Sequence, residues 1–130
     1  LFLFFNANHK LGILTDLGTV PPYISNLYRD CDGLIVEANH DIDMLAEGDY
    51  PRFLKDRVGG DWGHLNNEQT ANLIGNLDQE RVQHIVVAHI SQANNDLNRV
   101  KKSIESVFSG AGEIYYATQD QGFDWLQLKD

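Results

Sequence analysis

Three short apolar runs in this chain each end directly at a polar, chemically active residue. The runs are LGILT at 11–15, LIV at 34–36 and QHIVVA at 83–88, and the residues that follow them are Asp16, Glu37 and His89. Compact apolar runs of this length are typical of buried strands. When such strands alternate with helices they form a parallel sheet, and their carboxyl ends meet at one edge. The sequence therefore predicts an α/β fold with functional side chains gathered at that edge.

The rest of the chain completes a prediction of six strands and about five helices. A strand at 1–5, a turn at 6–10 (NANHK) and the strand at 11–15 are typical of a hairpin. Further strands are predicted at 113–117 and 123–128, and helices at 23–29, from the cap Asp41 to Glu47, from Pro51 to 57, from the cap Asn66 or Asn67 to 77, and at 97–108. The alternation of strands and helices along the chain indicates a mixed sheet flanked by helices.

Charge and cysteine content limit the partners and the surroundings of the chain. With 10 Lys+Arg against 19 Asp+Glu, the formal net charge is -9, which argues against a basic surface that follows nucleic-acid phosphates. It leaves open a nucleic acid that is held through metal ions. Cys31 is the only cysteine, so the chain has no intrachain disulfide and no cysteine zinc site, which fits a reducing compartment. No apolar run approaches the roughly 20 residues of a membrane span, and we expect a cytoplasmic protein.

Four polar segments lie at or beside the predicted strand ends. They are TDLG at 15–18, EANHD at 37–41, GHLNN at 63–67 and AHISQANN at 88–95. Asp16 and His89 are metal-ligand types, and an imidazole such as His64 also serves as acid or base near neutral pH. Each segment alone fits a structural role as well: a turn or cap at Asp16, a solvated loop at 37–41, or a histidine packed at a helix start. Their convergence on one sheet edge favours a site.

In this order, the segments resemble metallo-β-lactamase-fold hydrolases, and more narrowly the YycJ-like (WalJ-like) branch. The resemblance rests on T-D-L-G, E-A-N-H-D, Y-P-x-x-L-K-x-R, G-H-L-x-N and A-H-[IL]-S-x-x-N-N, and it covers 11–95, about two thirds of the chain. The more distant tRNA 3′-end-processing endonucleases share the same scheme of acidic and histidine residues. The resemblance implies the second half of an αββα sandwich.

The resemblance also implies roles for four residues. Asp16 corresponds to the aspartate that bridges two divalent metal ions, zinc or manganese, and His89 to the last metal-ligating histidine. His64 corresponds to the histidine near the scissile phosphate that assists with charge or proton transfer. Glu37 corresponds to the glutamate that supports this histidine. His64 and Glu37 are therefore expected to be catalytic, and Asp16 and His89 to bind metal.

The remaining motif positions have less specific roles, or depart from the pattern of the family. Asn39 and His40 follow Glu37 and are expected to bind substrate by shaping the same loop. Asn66 stands where serine is common in the branch, which argues against a hydroxyl-dependent role there. The chain has no H-x-H pair, and thus lacks the first metal motif of the family, H-x-H-x-D-H. Since a catalytic zinc takes about three protein ligands, we expect residues 1–130 to be the carboxy-terminal half of a domain whose amino-terminal half completes the site.

The expected parent is a metal-dependent hydrolase, a nuclease or phosphodiesterase that acts on nucleic acid through a hydroxide activated by two metal ions. The chain alone is expected to be inactive. Its uncovered sheet face is expected to meet the missing amino-terminal half or, in a homo-oligomer, a second copy of the chain. Two alternatives stay open. One is a hydrolase of the same fold that acts on a small ester, thioester or lactam, and the other is a stand-alone α/β binding or interaction module without catalysis.

Overall fold

The computed structural model describes residues 1–130 and contains one five-stranded sheet and five helices. The strands are β1 (Phe2–Phe5), β2 (Lys10–Leu14), β3 (Gly33–Glu37), β4 (His84–Ala88) and β5 (Glu113–Tyr116). The helices are α1 (Pro22–Tyr28), α2 (Ile42–Glu47), α3 (Arg52–Gly59), α4 (Asn67–Gly75) and α5 (Leu97–Glu105). The structure thus has the predicted α/β architecture, with element ends that differ from the predicted ones by up to three residues. None of the five helices is long and apolar enough to cross a membrane.

The strands lie in the sheet in the order in which they occur in the chain. The β1–β2 hairpin is antiparallel, and the neighbours from β2 to β5 are parallel. Leu14 pairs with Val36, and Glu37 pairs with Ala88. Because these three parallel strands end in register, the residues that follow them emerge at one edge of the sheet, as the sequence predicts.

The core lies between the helices and one face of the sheet. Alternate strand residues point to this face. Those that are at most 1% exposed are Leu14, Leu34, Val36, Ile85 and Val87. The helices add residues that are at most 2% exposed: Leu73, Ile74, Val100 and Ile104. Asp41 and Asn66 cap α2 and α4, accepting backbone N–H groups at 3.0 and 2.9 Å. These caps were predicted, and they fix where the helices beside the sheet edge begin.

The segment 123–128 is not the predicted sixth strand. It has no ladder partner, and side chains at the start of β4 hold its backbone instead. The imidazole Nε2 of His84 donates to the carbonyl oxygen of Gln127 at 3.0 Å, and the Gln83 side chain accepts the N–H of Lys129 at 2.7 Å. The prediction was wrong because alternation of polar and apolar residues does not supply a paired neighbour, and Trp125 is fully exposed.

The face of the sheet opposite the helices is covered only in part. Segment 123–128 lies over Leu11, Ile35 and Val86, with a cleft of about 520 Å³ between them. Phe2 and Phe4 pair with β2 on this face and remain 63% and 52% exposed. An apolar sheet face that is this open is typical of a surface that another element covers.

Candidate active site

Asp16 and His89 leave their strands in a backbone conformation that few residues adopt. Their φ angles are 57° and 53°, and no other non-glycine residue of the chain has a positive φ. Left-handed backbone costs an L-residue roughly 1–2 kcal/mol. Such a cost persists where surrounding contacts enforce it, which is common at functional sites. The two strained turns bring the side chains of Asp16 and His89 together at the sheet edge.

Asp16, Glu37, His64 and His89 form an acid–imidazole cluster at this edge. One possible ligand atom of each residue lies within 4.8 Å of those of the other three. The Nδ1 atoms of His64 and His89 lie 3.6 and 3.8 Å from Oδ1 of Asp16. These histidines are the only basic side chains in ion-pair contact with the two carboxylates. The structure therefore brings together the four residues to which the sequence assigned metal binding and catalysis.

Glu37 lies at the base of the cluster and orders both rings. Its side chain is fully buried, and Oε1 lies 2.6 Å from Nδ1 of His64 and 3.2 Å from Nδ1 of His89. Oε2 accepts the backbone N–H of Leu65 at 3.1 Å. With Nδ1 of each ring directed at the Glu37 carboxylate, Nε2 is the nitrogen left for another partner. The sequence indicated a contact with His64 alone.

Comparison with known proteins finds curated relatives that match most of this chain. The chain is 32% identical over 118 residues to exodeoxyribonuclease YycJ of Bacillus anthracis, across 88% of the chain and 45% of that protein. It is 34% identical over 94 residues to exodeoxyribonuclease WalJ of Streptococcus pneumoniae serotype 2, across 72% of the chain and 35% of that protein. The chain resembles the YycJ and WalJ branch of the metallo-β-lactamase-fold hydrolases. The predicted resemblance is confirmed.

A solved structure supports the fold assignment. The metallo-β-lactamase-fold protein YhfI from Bacillus subtilis superposes with a TM-score of 0.63 at 19% identity, over 95% of this chain and 42% of that one. No protein-family model matches the chain. The chain spans less than half the length of each of these three proteins. This part of a metallo-β-lactamase-fold domain holds the four clustered residues and no H-x-H pair.

The G-H-L-N-N segment at 63–67 places His64 through backbone contacts. A Cβ at Gly63 would lie 2.2 Å from the carbonyl oxygen of Val58, so only glycine fits there. The N–H of His64 then donates to that carbonyl at 2.9 Å. Two residues later Asn66 forms a capping box with Gln69, which fixes the start of α4. His64 is thus held between a tight turn and a helix start.

Asn39 and His40 occupy different surroundings. Asn39 is partly buried and lines a cleft of about 470 Å³ beside His64 and His89. His40 is 2% exposed, and its Nδ1 has no hydrogen-bond partner. Burial, together with repulsion from His64, lowers the pKa of His40 below its ordinary value, against the opposing effect of Asp41. His40 therefore lies behind the site, as a neutral imidazole, and not on its open surface.

Several amide side chains support the loops of the site and were not predicted from the sequence. Gln69 closes the capping box and also donates from Nε2 to the carbonyl oxygen of Gly18 at 2.9 Å, which ties α4 to the loop of Asp16. The side chains of Asn67 and Asn95 exchange two hydrogen bonds of 2.9 and 2.8 Å, and Asn95 also donates to the carbonyl oxygen of Ala38. The N-x-x-Q spacing at 66–69 is the sequence signature of a capping box. The Asn67–Asn95 pair has no comparable local signal.

Proposed function

We propose that this chain supplies one side of the active site of a metal-dependent nuclease, a phosphodiesterase that acts on nucleic acid. The observation that carries the proposal is the cluster of two carboxylates and two imidazoles, Asp16, Glu37, His64 and His89, which has no Lys or Arg to neutralise it. The two relatives above are named exodeoxyribonucleases, which supports DNA as the substrate.

The donor set of the cluster fits divalent metal ions. Carboxylate oxygen and neutral imidazole nitrogen suit both zinc and manganese. The side chains of Asp16 and His89 are 64% and 48% exposed, so they are the accessible groups that would hold the ions. Two bound ions supply an activated water nucleophile and electrostatic stabilisation of the phosphoryl oxygens.

His64 and Glu37 act beside the ions. The His64 side chain is 32% exposed, so it reaches the open side of the site, while its Nδ1–H stays on buried Glu37. In its imidazolium form, His64 donates Nε2–H to a phosphate oxygen or protonates the leaving oxygen. The Glu37 carboxylate stabilises the positive charge of that ring. Asn39 shapes the substrate side of the same loop, with buried His40 behind it.

The small number of metal ligands and the open sheet face both indicate that the amino-terminal half of the domain packs against this chain. Asp16 and His89 are too few ligands for two ions, and Phe2 and Phe4 leave the second sheet face open. We assign residues 1–130 to the carboxy-terminal half of the domain, and its amino-terminal half, with further ligands, to that face. The chain alone is then inactive, and a second copy of the chain is the alternative cover. A cytoplasmic location suits Cys31, a buried free thiol.

The test uses the full-length protein encoded by the gene, with DNA and RNA oligonucleotides and with added Mn²⁺ or Zn²⁺. We expect metal-dependent cleavage of the oligonucleotides, and no cleavage with Asp16→Asn. Asp43→Asn is the matched control, because Asp43 is an exposed acid of α2 that belongs neither to the cluster nor to the open sheet face. Turnover of a thioester, lactam or small ester without nuclease activity would favour the first alternative. A protein that neither binds metal nor hydrolyses any of these substrates would be the binding module.

A further inference from the structure

Asn39 joins three loops of the candidate active site. Its backbone N–H donates to the carbonyl oxygen of Leu65 at 2.9 Å, next to His64. Its carbonyl oxygen accepts the N–H of Ser91, also at 2.9 Å. Its side-chain Nδ2 donates to the carbonyl oxygen of His89 at 3.0 Å. Asn39 is therefore bonded to the loop of each histidine in the cluster.

The side-chain contact of Asn39 falls on a residue that needs support. His89 has a φ of 53°, a conformation that an L-residue adopts at a cost of roughly 1–2 kcal/mol. It lies one residue past β4, where the sheet ladder no longer fixes its carbonyl group. A hydrogen bond to that carbonyl oxygen restricts the peptide plane, and with it the direction of the side chain. Asn39 and Glu37 thus hold His89 from two sides, one at the backbone and one at Nδ1.

We propose that Asn39 is a positioning residue for the metal ligand His89, with a side chain that selects the left-handed backbone. This inference rests on the proposed function, because it takes His89 as a ligand. It replaces a direct substrate contact of Asn39 with an action through His89. Removal of the amide leaves both backbone hydrogen bonds of Asn39 in place, so the variant Asn39→Ala removes the one contact that the proposal invokes.

The experiment measures the affinity of the full-length protein for Mn²⁺ and Zn²⁺ by chelator competition, and kcat and KM with a DNA oligonucleotide. Substitutions behind metal ligands weaken metal binding by about 10–100-fold, and we expect this loss for Asn39→Ala. Saturating metal is expected to restore kcat, with KM for DNA unchanged. Asn72→Ala, which changes an exposed asparagine of α4, is the matched control and is expected to leave metal affinity unchanged.

A double-mutant cycle with His89→Ala separates positioning from substrate binding. If Asn39 acts through His89, Asn39→Ala weakens metal binding no further once His89 is absent. An unchanged metal affinity of Asn39→Ala with a raised KM would overturn the proposal and return Asn39 to substrate binding. Wild-type protein that binds no metal would overturn the proposed function itself.

If Asn39→Ala does not fold, the wild-type protein still decides the question. In isotope-labelled protein, a scalar coupling across the hydrogen bond from Asn39 Nδ2 to the His89 carbonyl is expected, and it should persist when metal is added. Absence of that coupling in the folded, metal-bound protein would contradict the proposal.

Discussion

Both ends of the sheet carry acidic side chains. Arg81 pairs with Asp32 at the amino end, whereas no Arg or Lys pairs with the acids of the cluster at the carboxyl end. At the amino end, Asp32 accepts two hydrogen bonds from Arg81 at 3.0 and 3.1 Å and the backbone N–H of Lys10 at 2.7 Å. At the carboxyl end, the only ion-pair partners of Asp16 and Glu37 are imidazoles. At the amino end, Asp32 and Arg81 form an ion pair between the segments that precede β3 and β4. The carboxyl end concentrates negative charge that a cation from outside can balance.

The pKa values at the amino end follow from this pairing. Burial alone would raise the pKa of Asp32, but the hydrogen bonds from Arg81 and from the Lys10 backbone outweigh it and lower the pKa. The Lys10 ammonium, 2.5 Å from Asp30, lowers the pKa of that carboxyl as well. Both acids are therefore more stable in the charged form when the chain is folded. Through their ion pairs, both acids contribute to stability.

The largest expected effect is at the carboxyl end, with Asp16→Ala in the full-length protein. We expect bound metal to be lost and kcat/KM to fall by about a hundredfold or more, since metal-ion stabilisation of the transition state amounts to several kcal/mol. Metal content is measured by elemental analysis and activity with a DNA oligonucleotide. Asp32→Ala is the control from the other end and should keep its metal. Full activity with intact metal in Asp16→Ala would refute the bridging role.

His64→Ala should separate catalysis from metal binding within the cluster. We expect metal to be retained and kcat to fall by about 10²–10⁴-fold, the usual contribution of a general acid. Kinetics and metal content are measured on the same preparation. His84→Ala, which removes a histidine at the amino end of β4, should leave kcat unchanged. Joint loss of metal and activity in His64→Ala would reassign His64 as a ligand.

At the amino end, Asp32→Ala should act on stability alone. The backbone N–H of Lys10 and the Arg81 side chain lose their acceptor, and an unsatisfied buried group costs about 1–3 kcal/mol. We expect the free energy of unfolding in urea to fall by about this amount, with metal affinity unchanged. An unaltered urea midpoint, or a weaker metal affinity, would contradict the assignment of Asp32 to stability alone.

The smallest expected effect is the pH dependence of stability. Asp30 and Asp32 have lowered folded-state pKa values, so in mild acid the unfolded chain binds more protons than the folded chain. Their contribution is complete above the unfolded value of about 3.9 and is lost as pH falls through the lower folded values. Urea midpoints from about pH 6 to about pH 2 should fall, with a shallower slope for Asp32→Asn. An equal slope in both proteins would show that Asp32 does not contribute to the pH dependence of stability.

Much of the fold follows from strong local patterns. The runs around Leu34–Val36 and at 83–88 are apolar on both faces, which leaves few alternatives to a buried parallel strand, and Asp41 and Asn66 are ordinary caps. The strand prediction for 123–128 failed because a strand needs a neighbour with free backbone groups. Its pattern alternates, but the chain leaves the sheet after β5.

That these residues cluster was predictable from the sequence, and the detailed geometry of the cluster was not. Position after a strand singles out Asp16, Glu37 and His89, since register brings strand ends together. The left-handed backbone of Asp16 and His89 and the contact from Asn39 to His89 depend on tertiary packing between segments 50 residues apart. No local pattern carries that information. The burial of His40 is of the same kind, because the loop that exposes Asn39 turns its neighbour inward.

The shared oxygen of Glu37 has a consequence for how this site can evolve. One atom, Oε1, receives both His64 and His89, so a change at position 37 alters the orientation of two rings with different proposed tasks. A shorter aspartate could not reach both without moving β3, and a glutamine would offer a donor where a ring already donates. A substitution at position 37 therefore cannot change the orientation of one ring without affecting the other. Variation among descendants of such a sequence should be correlated at positions 37, 64 and 89, and a directed-evolution library should randomise the three together.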